Sequence, residues 1–579
     1  MTHARRIGSF VLALAVVATC LVAVAGAAER NDADYFEYYF PSSDGINQLH
    51  ADVLRPKGIA EDKRTPVILT VSPYTNHSGA TTPSPEDMTD VGPSWRFYDF
   101  LDQSRALKRG YTYVMVDLPG DGGSGGCNDW GGVREQTAVK DAVEWAASQS
   151  WSTGKVALLG KSYDGWTGLM GIAQQPKGLA AVVSLEPVYS GYRYIYMNGV
   201  RRSGTWPYGW SFTAVDAMPG RPTEPAYVAN GAPQAWCYPV NIAGENVDMS
   251  EGGIYWAERN LLPTAKGKKT PLFLTQGFLE ANTKPDGAFD YFNRLAGDSN
   301  RAWFGQFDHC RAWESQDTCG SAGGTGKKGK RPAVGRPGFI EEVMRFLDLH
   351  LKGIEPPVSD PAIEVQDALG RWRAESAWPP ADMSEWTTKL RTGQYDDDGS
   401  GNGIRPTAEQ GIWTISHPLD HDLWLSGTPE LKVSVDGAPN ANLAANVYDI
   451  APDGSVTMIS RGVQSLTGTG PRDFKVQLYG QDWPLTAGHR IGVLIGSGNT
   501  DQFQYAGTAT RTAITVTRAS IDIPFLTYDR TEFLPGTTTG RLKQFREDST
   551  AELGREDIEA AEHPFSLPGP LKRSRTGAI

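Results

Sequence analysis

Val156 to Leu159 form a short apolar run that ends at Gly160. A single serine, Ser162, follows, and then a helix start rich in small residues, Gly165, Thr167 and Gly168. A strand that stops at glycine and turns at once into a small-residue helix constrains the fold strongly. The turn is tight, and the helix must run back close to the sheet. Such an elbow lifts one serine out of a sheet as a nucleophile. The strict form is Gly-x-Ser-x-Gly; here Asp164 holds the second glycine slot and Gly165 follows one place late. Two other readings compete. A phosphate-binding loop ending Gly-Lys-Ser needs glycine at 155, where Lys155 stands. An ordinary strand-to-helix turn is the other.

Further apolar runs occur at Pro66–Val71, Tyr111–Val116, Ala180–Leu185, Pro271–Thr275 and Ala302–Gly305. They read as strands of a parallel sheet covered on both faces. Gln136 to Ser148 is amphipathic, with Ala138, Val139, Ala142, Val143 and Trp145 on one side. This alternation predicts an α/β fold with right-handed crossovers, placed at residues 28–360. The rhythm breaks at about 187–269, where Tyr189, Tyr192, Tyr194, Tyr196, Trp206, Tyr208 and Trp210 crowd together. That stretch reads as an inserted cap, its aromatics either walling a substrate pocket or gluing cap to body. A helix from Phe339 to Lys352 closes the domain at Gly353. Beyond it the apolar period becomes two, as in Leu431-Lys-Val-Ser-Val435 and Phe474-Lys-Val-Gln-Leu478, which predicts a β-sandwich over 361–545. Residues 546–579 are charged or rich in proline and glycine and read as a flexible tail.

The 579 residues carry a net charge of −12 without a basic stripe, so nothing points to nucleic acid. At the N-terminus Arg5 and Arg6 precede an uncharged stretch, Ile7 to Ala25, and Ala25-Gly26-Ala27 offers a small-x-small cleavage site. This is the pattern of a secretory signal over residues 1–27. It implies a secreted protein with no membrane insertion after cleavage; a retained anchor is the alternative. Export permits disulfides. Cys127, Cys237, Cys310 and Cys319 remain after the signal, and four cysteines allow three pairings. The closeness of Cys310 to Cys319 favours that pair and leaves Cys127 with Cys237. No Cys/His spacing suits zinc, and Asp396-Asp397-Asp398-Gly399 reads as a solvated loop, so neither a metal nor a cofactor is expected. A homo-oligomer is compatible with the sequence.

A serine hydroxyl near neutral pH needs an imidazole base, and the base needs an acid to fix its tautomer. In this architecture the chain order is serine, acid, histidine. Only His309 and His350 lie between Ser162 and the β-domain. His350 falls on the closing helix and reads as structural. His309 follows a strand, in Gly-Gln-Phe-Asp-His-Cys, and is the expected base. Glu280 is the first carboxylate after the Pro271–Thr275 run and is the expected acid, ahead of Asp286, Asp290 and Asp308. The backbone N–H of Tyr163 and the phenol of Tyr74 are the expected oxyanion donors. Trp166 and Glu186 are candidate substrate contacts, Glu186 for a substrate ammonium.

Several spaced motifs resemble the Xaa-Pro dipeptidyl-peptidase and cocaine esterase family of α/β-hydrolases. Gly160-Lys-Ser-Tyr-Asp-Gly165 is similar to that family's Gly-x-Ser-Tyr-x-Gly elbow. Asp117-Leu-Pro-Gly-Asp-Gly-Gly-Ser-Gly-Gly126 resembles its Asp-x-x-Gly-x-Gly-x-Ser-x-Gly loop, and Trp151-Ser-Thr-Gly-Lys-Val156 its lead-in to the elbow. Ser72-Pro-Tyr74 resembles the segment bearing the oxyanion tyrosine. Gly277-Phe-Leu-Glu280-Ala-Asn-Thr-Lys-Pro285 resembles the acid loop, with glutamate where the family usually has aspartate. Leu425-Ser-Gly-Thr-Pro429 and Ala487-Gly-His-Arg490 resemble its C-terminal jelly roll. The resemblance spans about residues 40–517. It implies serine-dependent acyl transfer to water on a peptide or a small acyl substrate, without a cofactor. Lys161 and Asn282-Thr-Lys-Pro285 lean toward the peptidase branch, and the aromatic cap suits an esterase or amidase. A non-catalytic carbohydrate-binding protein is a third reading, opposed by the presence of serine, histidine and acid together.

Overall fold

Ten strands build the central sheet: β1 (Ala33–Pro41), β2 (Gln48–Pro56), β3 (Thr65–Ser72), β4 (Thr112–Asp117), β5 (Ser152–Lys161), β6 (Leu179–Leu185), β7 (Leu272–Gly277), β8 (Arg301–Gly305), β9 (Ile363–Gln366) and β10 (Trp372–Glu375). Their spatial order is β1-β2-β4-β3-β5-β6-β7-β8-β9-β10. Strands β3 to β9 run parallel, while β1, β2 and β10 pair antiparallel at the edges. This computed structural model describes residues 30–75, 77, 92–203, 224–231, 235–314, 332–437, 439–503 and 512–573.

Helices cover both faces of the sheet, so its strands read as unbroken apolar runs. Side chains alternate along each strand. Leu69, Val114, Leu158 and Val182 join α2 (Val133–Ser148) and α3 (Tyr163–Gln174) in one core. Ile68, Met115, Leu159 and Val183 join α1 (Tyr98–Ser104) and α4 (Phe339–Leu347) in another. The closing helix is therefore α4, continued by one wider turn at Asp348–Lys352. His350 packs on Phe346 there, with ring centroids 4.6 Å apart.

In the cap, Tyr189, Tyr192, Tyr194 and Tyr196 are all buried. Tyr192 stacks on Tyr196 at 5.4 Å, and both meet Trp256 edge-on. Tyr189 and Tyr194 tie the cap to the body through Gln276 and Asn282, each at 2.9 Å, while Tyr192 and Tyr196 pack within the cap. Trp206, Tyr208 and Trp210 lie outside the described residues. Cys127 and Cys237 are disulfide-bonded with their Cα atoms 6.1 Å apart, which ties the cap to the loop after β4. Cys310 is also disulfide-bonded, and Cys319 lies outside the described residues. So does the expected signal at 1–27. Among the described residues no helix is long and apolar enough to cross a membrane.

The second domain is a β-sandwich. Its long strand Thr512–Leu526 pairs with Met383–Lys389, Gly393–Asp397, Leu423–Gly427 and Glu430–Asp436 in one sheet. The facing sheet contains Ile412–Ile415, Arg490–Gly496, Ala441–Ile450 and Ser455–Leu466. Two expectations need correction here. The boundary expected at 360 falls inside the α/β sheet, because β9 and β10 extend it: Ile363 to Val365 pair with Ala302 to Phe304. The stretch is short and follows a Pro-Pro turn, so its pairing partner was not readable locally. The expected tail is folded as far as residue 573. Helices α5 (Gly540–Asp548) and α6 (Arg555–Ala561) flank Ala551–Glu552, which adds a strand to the sandwich at Ser455 and Val456.

Despite its charge, this segment buries Leu553, Ile558 and Ala561 in the sandwich core, beside Leu542 and Phe545 just before it. Charges on the outer side of short amphipathic helices look like disorder in composition alone. Ile558→Ala should therefore destabilise the fold by about 2–4 kcal/mol, seen as a lower urea midpoint for the β-domain transition. An unchanged midpoint would show that the segment contributes nothing to the domain.

Candidate active site

The turn after β5 has the geometry that its glycines predict. Ser162 sits at φ 66° and ψ −122°, a strained conformation for a residue with a Cβ. It is partly exposed, between a buried Lys161 and a helix buried from Tyr163 to Ile172. A Cβ at Gly160 would lie 2.3 Å from Asp164 Cβ, and one at Gly165 would lie 2.9 Å from the Leu185 carbonyl. The late glycine is required by the approach of α3 to β6.

Asp164, in the slot where the strict elbow has glycine, is buried and fully engaged. One oxygen accepts a short hydrogen bond from the Ser72 hydroxyl. The other accepts from Arg96 Nε at 3.0 Å and Nη2 at 2.9 Å. Ser72 Oγ in turn accepts the Tyr74 N–H at 2.9 Å, and the Arg96 guanidinium lies 4.2 Å from the Tyr74 ring centroid. The elbow thus grips the tyrosine loop that follows β3. Sequence reasoning missed Asp164 and Arg96 as positioning residues; the only signal was a buried carboxylate standing in a glycine slot.

Glu280 follows β7 and His309 follows β8, so both project from the carboxyl end of the sheet, as Ser162 does. His309 Nδ1 lies 3.0 Å from Glu280 Oε2. Glu280 Oε1 accepts the backbone N–H of Asn282 at 2.6 Å and of Thr283 at 3.2 Å. The longer glutamate side chain is accommodated by this turn of its own loop. The competing acids are committed elsewhere. Asp286 pairs with Arg202 at 2.7 Å, Asp290 with Arg294 at 2.8 Å, and Asp308 accepts the N–H groups of Ala281 and His309.

Burial is the largest influence on each titrating group. It opposes ionisation of Glu280, but the His309 ring, Glu186 and backbone donors prevail and hold the carboxyl well below the usual range. His309 stays below the ordinary imidazole value because burial, Lys161 and Lys284 outweigh Glu280. Burial pushes the Lys161 ammonium down to about 8. Neutral His309 is the form that can accept a proton, so activity should fall as pH drops through this lowered pKa. Lys161→Met should move the acid limb of kcat/KM to higher pH by removing a nearby cation. A limb that stays put or moves the other way would rule out that influence.

Two expected substrate contacts are corrected. Glu186, at φ 46°, is fully buried. It accepts from Gly277 N at 3.0 Å and from Thr275 Oγ1 and Gln276 Nε2 at 3.2 Å. Burial and the neighbouring Glu280 push its carboxyl well up, and it hydrogen-bonds to Glu280. Two adjacent buried carboxyls disfavour ionising together, which tilts Glu186 toward its neutral form behind the acid. It does not face a substrate ammonium. Trp166 is fully buried, packed on Trp130 at 5.5 Å and Tyr163 at 5.3 Å. It belongs to the core under the elbow. The Tyr163 phenol bonds Glu135 at 2.7 Å, which leaves only its backbone N–H, the first of α3, as an oxyanion donor.

A partly exposed, strained serine at the end of β5, with a carboxylate-bound histidine beyond β8, defines a serine hydrolase of the α/β-hydrolase fold. Residues 44–311 match the sequence model described as "X-Pro dipeptidyl-peptidase (S15 family)", and residues 355–521 match the "X-Pro dipeptidyl-peptidase C-terminal non-catalytic domain". The chain belongs to this family. A relative from Streptomyces avermitilis, provisionally named an Xaa-Pro dipeptidyl-peptidase, is 24% identical over 453 residues; the match spans 70% of this chain and 62% of that relative. Two solved structures are similar in fold, each 18% identical and covering 87% of this chain. An α-amino acid ester hydrolase has a TM-score of 0.64 over 98% of its chain. An aminopeptidase from the marine sediment archaeon Thaumarchaeota archaeon has 0.63 over 99%.

Proposed function

We propose that this chain is an exported exopeptidase that releases Xaa-Pro dipeptides from peptide N-termini through an acyl-enzyme on Ser162. The observation that carries the chemistry is the His309–Glu280 contact at 3.0 Å, with the second Glu280 oxygen held by two backbone N–H groups. A carboxylate at Nδ1 fixes the proton there and leaves the Nε2 lone pair for the Ser162 hydroxyl. In the first half-reaction Ser162 Oγ bonds to the scissile carbonyl carbon while its proton passes to His309. The carbonyl oxygen becomes an oxyanion, met by the Tyr163 N–H and the Tyr74 phenol. Collapse breaks the C–N bond, and His309 returns its proton to the leaving amine. Water then repeats the cycle on the ester, releasing the dipeptide. The two matching family models support Xaa-Pro as the acyl group, and the N-terminal pattern supports export.

The buried state of Glu186 favours a second reading, an esterase or amidase for small acyl groups, since the acid expected to hold a substrate ammonium is turned inward. Mature protein offered Ala-Pro and Gly-Pro p-nitroanilides beside short p-nitrophenyl esters separates the two. The peptidase reading expects anilide turnover that saturates at low concentration and requires a free substrate N-terminus. Turnover of esters alone would replace it with the second reading, and no turnover of either would remove both. Recovery of mature protein lacking residues 1–27 from the medium or periplasm of an expressing bacterium tests export.

A further inference from the structure

Away from Ser162, six buried titratable side chains converge near the edge of the sheet where β1, β2 and β4 meet. Glu37 comes from β1, His50 and Asp52 from β2, and Asp117 from the end of β4. His77 comes from the loop after β3, and Glu224 from the cap. Each imidazole has one nitrogen on a carboxylate. His50 Nδ1 lies 2.9 Å from Asp117 Oδ2, and His77 Nδ1 lies 2.6 Å from Glu224 Oε1. Each bond holds a ring proton on Nδ1, whether the imidazole is neutral or carries a second proton. Both Nε2 atoms are buried without a hydrogen-bond partner, and the two ring centroids are 5.2 Å apart.

Each Nε2 points toward carboxylate oxygens. His50 Nε2 is 3.3 Å from Glu37 Oε1 and 3.5 Å from Asp52 Oδ1, and His77 Nε2 is 3.6 Å from the same Asp52 oxygen. The ligand atoms of Glu37, His50 and His77 all lie within 4.8 Å of one another. A buried Nε2 this close to a carboxylate calls for positive charge between them, which either a second ring proton or a metal ion supplies. Tetrahedral zinc, with ligands at about 2.0–2.1 Å, separates those ligands by about 3.3 Å, close to the three contacts above. Carboxylates on the distal imidazole nitrogens are also the usual support of metal-binding histidines.

We infer that His50, His77, Asp52 and Glu37 form a binding site for a divalent transition-metal ion, zinc above all, with Asp117 and Glu224 orienting the imidazoles. The imidazole and carboxylate donors suit zinc better than calcium or magnesium, which take oxygen ligands. The role is structural. Asp117 also accepts the Thr75 hydroxyl at 2.6 Å, and His77 lies three residues after Tyr74. The ion would tie the tyrosine loop and the cap to the sheet edge. The inference does not depend on which acyl group Ser162 attacks.

The test uses the whole mature chain without a polyhistidine tag, expressed in zinc-supplemented medium, dialysed, and analysed for metal. About one zinc per chain is expected. X-ray absorption should show a nitrogen and oxygen shell at about 2.0–2.1 Å containing two imidazoles. His77→Gln and His50→Gln, folded by circular dichroism, should each lose about nine-tenths of the bound zinc, as expected for loss of a primary ligand. Wild-type protein with less than about a tenth of an equivalent would overturn the site, as would variants that keep the wild-type content. If the variants do not fold, the wild-type absorption spectrum decides, since a shell with one imidazole or none excludes these ligands.

Discussion

Replacing Ser162 with alanine should abolish turnover of every substrate the protein accepts, lowering kcat by about 10⁴-fold or more. The side chain caps no helix N–H, so its hydroxyl has no structural duty at the start of α3. Alanine inherits the same φ of 66° and the same buried neighbours, so the fold should persist with an unchanged melting curve. What disappears is the atom that carries the acyl group. A residual rate of about 10³-fold over water is expected from the oxyanion donors alone. The measurement is steady-state turnover together with burst-phase detection of an acyl-enzyme. Substantial activity in the alanine variant would move the nucleophile elsewhere.

Glu280→Gln should cost about 10⁴-fold in kcat, equivalent to about 5.5 kcal/mol of barrier. The reason is the asymmetry of its hydrogen bonds. The Asn282 and Thr283 N–H groups hold the Oε1 side and will keep the amide oxygen there. The amide NH₂ then faces His309 Nδ1, which must accept and so shift its proton to Nε2. That tautomer cannot take the proton of Ser162. The acid limb of the pH profile should also move to lower pH, because a group that raises the His309 pKa has been removed. Glu280→Asp, the form usual in the family, should retain more activity than glutamine. Asp286→Asn serves as the control; it breaks the Arg202 pair and should leave the acid limb in place. A mild effect of Glu280→Gln would mean that another carboxylate serves the histidine.

The parts of this site that were legible in the sequence are those governed by local backbone chemistry. The strand, glycine, serine and small-residue helix lie within thirteen consecutive positions, and Ser162 has the conformation that spacing demands. Glu280 and His309 were legible through their order after successive strands. Choosing among four nearby acids was legible only in part. Glu280 meets His309 because its loop folds back onto its own carboxylate, while Asp286 is claimed by Arg202, 84 residues away in sequence. Glu186 and Trp166 were misread for one reason. Both adjoin functional segments in sequence, but adjacency does not say whether a side chain points outward or into the core.

Sequence alone therefore determined the α/β-hydrolase class, the β-sandwich and the identities of Ser162, Glu280 and His309 as candidates. These follow from periodicity and turn chemistry, which act within a few residues. Tertiary structure alone decided three other things. Ile363–Gln366 and Trp372–Glu375 complete the first domain's sheet rather than opening the second domain. The charged C-terminal segment packs as helices on the sandwich. His50 and His77 bring their Nε2 atoms to one carboxylate, Asp52, across 27 residues of chain, with Glu224 arriving from 147 residues beyond His77. Each depends on contacts between distant segments, where burial and charge pairing act between elements whose spacing along the chain carries no pattern.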